Sequence, residues 1–135
     1  MREILFPKNS TEFVSRWLGS WGMGVKLILM NTDEILEIIR SRPLVLGYFS
    51  TPGCNVCKSL LPKVKRLIAE YPEFNFVYVD TEQHPYLAGQ YMVFAVPTLI
   101  LFAEGREWKR FSRFIGLAEL EAALEQLTLL VKSME

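Results

Sequence analysis

Two cysteines, Cys54 and Cys57, are the only ones in a chain of 135 residues, and they stand three positions apart. Two thiols at that spacing can exchange disulfides, ligate a metal or sit as an inert pair. They are too few to staple a disulfide-rich secreted scaffold. No third cysteine completes a thiolate zinc site, and the one histidine, His84, lies far along the chain. A bridge closing so small a loop constrains the unfolded chain little, so a purely stabilising disulfide is a weak explanation. Thiol-disulfide exchange is the favoured chemistry. An inert pair and a metal site shared by two chains, each donating Cys54 and Cys57, stay open as alternatives.

The elements around the pair favour reactivity. Residues 44–50 (Leu44, Val45, Leu46, Tyr48, Phe49) form a near-continuous apolar run, as expected of a strand buried on both faces. The loop Thr51-Pro52-Gly53 follows. A helix is expected from about Cys54, because Val56, Leu60, Leu61, Val64, Leu67 and Ile68 recur at helical spacing; Pro62 inside it should kink it. Unpaired N–H groups and the dipole at a helix N-terminus favour a thiolate, lowering its pKa below the free value of about 8.5. Cys54, on the loop side, is the expected exposed and activated sulfur. Cys57 comes about one turn later, beneath it and in a more apolar setting. Cys54 would then attack a substrate disulfide, and Cys57 would resolve the mixed disulfide.

A second element is Val96-Pro97-Thr98, immediately before the apolar run 98–102. Proline lacks a donor and is confined to a strand's start or edge. If Pro97 were cis, the Val96 backbone would face the sulfurs and could pair with an extended substrate segment. On base rates alone, however, a trans bond is the commoner state.

The remaining elements supply the scaffold. A strand is expected at 26–30, then a helix capped by Asn31 or Thr32 with Asp33 and Glu34 in its first turn. Further strands are expected at 74–80, 98–102 and 108–114, a short helix at 84–91 with His84 exposed at its start, a turn at Glu104-Gly105, and an amphipathic helix at 117–131. The order β-α-β-α-β-α-β-β-α is that of an α/β fold with helices on both faces of a central sheet and an antiparallel strand at its edge. Lys109, Arg110 and Arg113 on that edge are read as a guard against edge-to-edge pairing rather than a ligand patch. Residues 1–22 carry isolated aromatics among Pro, Gly, Ser and Asn; they are read either as an appendage, with a short helix at 11–18 and Met23 as an alternative natural start, or as an ordinary N-terminal helix packed on the domain. Residues 23–135 are the domain.

Composition narrows the function. Half of the residues are hydrophobic and 22% are charged, enough apolar material for a core and against global disorder. Fifteen basic and fifteen acidic residues cancel, which speaks against a general nucleic-acid or anionic-membrane binder. No apolar run approaches the roughly 20 residues of a membrane helix. Residues 1–30 carry Arg2, Lys8, Glu12, Arg16 and Lys26 and lack the apolar segment of a secretory leader, so a cytosolic location is expected.

The stretch from Phe49 to Lys58 with its Cys-Asn-Val-Cys centre, together with Pro62, Asp80, Val96-Pro97-Thr98, Gly105 and Gly116, resembles the thioredoxin family over roughly residues 26–131. The resemblance implies a thioredoxin fold with a central mixed β-sheet, Pro97 cis and beside Cys54, Cys54 and Cys57 as the catalytic pair, and Gly53, Val96 and Pro97 as substrate contacts. It implies a thiol-disulfide oxidoreductase acting on protein disulfides. Electrons would come from a separate reductase or a low-molecular-weight thiol. No cofactor, metal, nucleic acid or membrane is expected, and the chain is expected to be a monomer. The alternative is a binding or adaptor protein on the same fold, using the surface around Gly53, Val96 and Phe94, its cysteines sensing redox state or idle.

The departures from the family pattern carry information. Gly53 stands where a tryptophan is usual, and Asn55-Val56 where Gly-Pro is usual. Tyr48 occupies the place of a buried acid, and Phe76 that of its lysine partner, so no unpaired charge is left buried. Tyr48 is a poor base at neutral pH, so activation of Cys57 must come from water, the leaving thiolate or another group. Asn55 and Val56 offer no cation to the thiolate, and Lys58 is expected to face solvent. A moderate thiolate and a reducing or neutral poise follow.

Overall fold

The computed structural model describes residues 30–134. In chain order the elements are α1 (Thr32–Ser41), β1 (Leu44–Ser50), α2 (Asn55–Ile68), β2 (Asn75–Asp80), α3 (Pro85–Gln90), β3 (Thr98–Ala103), β4 (Arg106–Ser112) and α4 (Leu117–Ser133). The strand expected at 26–30 and the appendage with its helix at 11–18 lie outside the described residues, apart from Met30, which is buried.

The four strands form one mixed sheet in the order β2-β1-β3-β4. β1 runs parallel to β2 and antiparallel to β3, and β4 closes the edge antiparallel to β3. Every residue of β1 is buried, as its unbroken apolar run requires. Alternation along the strand divides the core into two layers. Val45 and Phe49 join the side chains of α1 and α3, including Ile35, Ile39 and Leu87. Leu44, Leu46 and Tyr48 join those of α2 and α4, including Cys57, Val64, Leu120 and Leu124. Gly47 sits between aromatic rings on the first face. A Cβ there would come within 3.1 Å of the Phe49 ring and 3.2 Å of the Phe102 ring.

Local chemistry accounts for the boundaries. Asn31 caps α1 reciprocally: its side chain accepts from Glu34 N–H at 2.8 Å, and the Glu34 carboxylate accepts from Asn31 N–H at 2.9 Å. α2 continues through Pro62 to Ile68. The β3–β4 hairpin turns on Glu104 and Gly105, with φ of 53° and 81°, the positive values that two-residue hairpin loops demand.

The last strand departs from the sequence expectation. It runs Arg106–Ser112 rather than 108–114, because pairing with β3 begins directly after the two-residue turn, at Ala103 opposite Arg106. Arg113, at φ 63°, ends it, and Phe114 is left 95% exposed.

Candidate functional site

The carboxyl end of β1 and the amino end of β3 meet at one edge of the sheet. Phe49 pairs with Thr98, which puts Pro97 at the level of Ser50, just before the loop that delivers the cysteines. The Val96–Pro97 bond is cis, as the family resemblance implied. Pro97 O accepts from Arg113 N–H at 3.1 Å, and the Thr98 hydroxyl donates to Ala95 O at 2.6 Å. The turn before β3 is therefore tied on both sides.

Cys54 is the N-cap of α2. Its N–H donates to Thr51 O at 3.2 Å, and its sulfur accepts from Cys57 N–H at 3.1 Å. An N-cap side chain ordinarily supplies an oxygen for this orphaned donor; here the acceptor is the sulfur, so the helix end points a partial positive charge at it. Cys54 is half-buried, whereas Cys57 is 1% exposed within the α2/α4 layer. The two sulfurs are joined in a disulfide, with the Cα atoms 5.2 Å apart. The half-buried cysteine is thus bonded to an occluded one a single turn away. Gly53 adds nothing above the pair: a Cβ built on it meets no atom within 4 Å. Val56 and Lys58 are exposed.

Tyr48 lies directly beneath. It is fully buried, and its hydroxyl donates to Cys57 O at 2.6 Å. Burial, reinforced by the neighbouring Tyr78, holds its hydroxyl well above the ordinary phenol range. Tyr48 is therefore a neutral donor that anchors the first turn of α2, and it supplies no base to Cys57. Its ring stacks on Tyr78 (5.9 Å, 15°) and tilts against Phe76 (6.1 Å, 44°). Aromatic packing fills the place of the family's buried ion pair. Tyr78 in turn donates to Ser50 Oγ at 3.3 Å, and Ser50 Oγ donates to Thr51 O at 3.3 Å. Sequence reasoning took Tyr78, with Phe74 and Phe76, for core packing and gave Ser50 no role at the site. Their signal was only positional: Tyr78 shares its strand face with Phe76 and pairs with Tyr48 in the β1–β2 register.

His84 corrects an expectation. It is 5% exposed, not a surface residue, and its Nδ1 lies 3.0 Å from Thr32 Oγ1 at the start of α1. Burial pulls its pKa below the ordinary value, with Asp80 partly opposing. Because α1 folds over the start of α3, this polar residue at a helix N-terminus is enclosed. Among the described residues no group of three or more His, Cys, Asp or Glu side chains is placed to hold a metal ion. None of the described helices is long and apolar enough to cross a membrane.

Comparison with known proteins matches the thioredoxin family model to residues 26–126. The chain belongs to the thioredoxin family. A thioredoxin-like protein of Bacillus subtilis, YdfQ, is 34% identical over 94 residues, covering 70% of this chain and 84% of its own length. A thioredoxin of Chlamydia trachomatis is 36% identical over 100 residues, covering 74% and 94%. Among solved structures, oxidised mitochondrial thioredoxin 3 of Saccharomyces cerevisiae superposes with a TM-score of 0.64 at 27% identity, covering 73% of this chain and 92% of that one. With the half-exposed and buried cysteines already bonded to each other, membership makes the chain a thiol-disulfide oxidoreductase on an α/β thioredoxin fold. Thioredoxins act on protein disulfides and are themselves reduced by thiol systems.

Proposed function

We propose that the protein reduces disulfides in other proteins, with Cys54 as the attacking sulfur and Cys57 as the resolving one. The observation that carries this reading is the placement of Cys54: N-cap of α2, half-buried, its sulfur accepting a backbone N–H, and bonded to a sulfur that solvent does not reach. In the reduced form the Cys54 thiolate attacks one sulfur of the substrate disulfide and expels the other as a thiolate. Cys57, losing its proton, then attacks Cys54 Sγ and expels the second substrate thiolate, which takes up a proton. Two electrons pass to the substrate, and the Cys54–Cys57 disulfide remains. Tyr48 is too weak an acid to exist as a base here, so water or the departing thiolate receives the Cys57 proton. A reductase or a low-molecular-weight thiol restores the dithiol.

The substrate segment lies extended along Val96 and Pro97, pairing with the Val96 peptide, and the bare backbone of Gly53 admits it. A reducing or neutral poise follows from a thiolate with no cation between the cysteines. Equilibration with glutathione buffers tests it, and a potential near the oxidants' value of about −120 mV would refute it. Residues 23–135 are the working domain, and the protein acts as a monomer in the cytosol; sedimentation and cell fractionation check these two assignments.

The central test is insulin reduction driven by dithiothreitol. Turbidity should develop with wild-type protein and stay at the background rate with Cys54→Ser, while Cys57→Ser should accumulate as a mixed disulfide on Cys54. Equal rates for wild type and Cys54→Ser would instead favour an adaptor, a role for which Phe94, 86% exposed beside this segment, offers an apolar contact.

A further inference from the structure

We propose that Arg110 is a positioning residue that holds the segment 91–97 in the shape needed for substrate recognition. The inference rests on the reading above that Val96 and Pro97 contact the substrate. Arg110 belongs to the cationic edge strand that sequence reasoning assigned only to edge protection. Its guanidinium is instead engaged both by Glu107 on its own strand and by the end of α3. Nε donates to Glu107 Oε2 and Nη2 to Glu107 Oε1, each at 2.7 Å, a forked pair that fixes the plane of the group. Nη2 also donates to Tyr91 O at 2.7 Å, and Nη1 donates to Met92 O at 3.1 Å.

Those two carbonyls end α3. Tyr91 is its C-cap, and Met92 follows in the left-handed region at φ 53°, an unfavourable conformation for a residue with a Cβ. The guanidinium satisfies both carbonyls where the helix has no further N–H to offer. The Tyr91 ring is wedged edge-on against Phe102 (5.2 Å) and Phe49 (6.2 Å). From this anchor the chain runs through exposed Phe94 to the cis bond at Pro97, where the Thr98 hydroxyl and Arg113 N–H hold the far end. The segment is thus pinned at both ends, with Arg110 the charged pin at one of them. Ordering it during folding removes that entropy from the binding step. Lysine cannot take over, since an ammonium lacks the planar fork needed to meet Glu107 and two successive carbonyls at once.

The experiment compares wild type with Arg110→Gln, Arg110→Lys and Glu107→Gln, all at partly exposed positions on an edge strand. Steady-state kinetics are measured with insulin and with a small aromatic disulfide that reaches Cys54 without strand pairing. The equilibrium constant with glutathione and the exchange rate of the Val93 amide, which donates to Ala88 O at 2.8 Å, are followed in parallel. Arg110→Gln should raise KM for insulin about tenfold, the effect of about one charge-assisted hydrogen bond. It should leave kcat, the small-disulfide rate and the glutathione equilibrium unchanged, and it should speed Val93 exchange. Arg110→Lys should behave like Arg110→Gln, and Glu107→Gln should give a smaller rise. An unchanged insulin KM in Arg110→Gln overturns the proposal, as does an equal loss with both substrates, which would place the effect at the dithiol. A disulfide peptide and its analogue N-methylated beside the cysteine separate the two levels. If the methylated peptide binds more weakly while Arg110→Gln changes nothing, only the role of Arg110 falls. If the two peptides bind alike, the strand-pairing reading falls with it.

Discussion

On one face of the sheet α2 and α4 cover Leu44, Leu46, Tyr48 and Cys57; on the other, α1 and α3 cover Val45, Phe49 and, nearby, His84. Both layers are closed by large aliphatic side chains, and each encloses a group that can titrate when freed. What differs is how each polar group is satisfied. On the α2/α4 face the Tyr48 hydroxyl donates to the backbone of the helix that carries the thiols, so packing energy is coupled to the position of the reactive turn. On the α1/α3 face the His84 ring meets a threonine that ties two helices together. The first arrangement holds the turn that carries the cysteines, and the second holds α1 to the start of α3. One sheet can serve both because alternation along β1 sends consecutive side chains to opposite layers.

The sharpest way to break this contrast is to alter one face and read out both properties. Cys54→Ser should abolish insulin reduction while leaving urea denaturation of the reduced proteins nearly unchanged. Leu87→Ala, in the opposite layer, should lower stability by about 2–5 kcal/mol with the rate intact wherever the protein remains folded. A second test restores the family's acid. Tyr48→Asp buries a carboxylate among Phe76 and Tyr78 with no cation opposite, and should destabilise by about 3–5 kcal/mol, the penalty for an uncompensated buried charge. Adding Phe76→Lys should recover part of that loss in the same denaturation assay. A smaller effect separates scaffold from base: Tyr48→Phe removes only the donor to Cys57 O and should cost about 1 kcal/mol. Turnover and its pH profile should persist, because a neutral phenol was never the proton acceptor.

The mildest expected effect belongs to His84. Its folded pKa is depressed by burial, so the unfolded chain binds the proton more readily below about pH 6.5. Stability should therefore be complete above that value and decline as pH falls from there through the folded pKa. His84→Gln should flatten this part of the curve and leave insulin reduction at neutral pH unchanged. If instead its loss moved the redox equilibrium, the two layers would not be functionally separate.

Much of the site was legible before any coordinates, because local rules set it. A thiol pair one helical turn apart, after a strand buried on both faces, is a short-range pattern. So is a proline at the start of a strand, and so is the Asn31–Glu34 reciprocal cap. The strand 44–50 ends where its apolar run ends. The edge strand was displaced by two residues because Arg106 and Glu107 are poor strand formers in isolation and enter β4 only by pairing with β3. Its cations illustrate the same limit. Edge protection is a property of one strand, whereas the grip of Arg110 on Tyr91 and Met92 spans eighteen or more residues and exists only once β4 lies beside the end of α3.

The order of residues by itself determined the dithiol and its place at a helix start, since spacing, periodicity and side-chain type act over a few neighbours. Only the folded chain decided that the tyrosine hydroxyl reaches the second cysteine's carbonyl, that the histidine is enclosed, and that the arginine braces the segment before Pro97. Each of these joins parts of the chain whose separation in sequence says nothing about their distance in space, and packing of two layers on one twisted sheet supplies that distance.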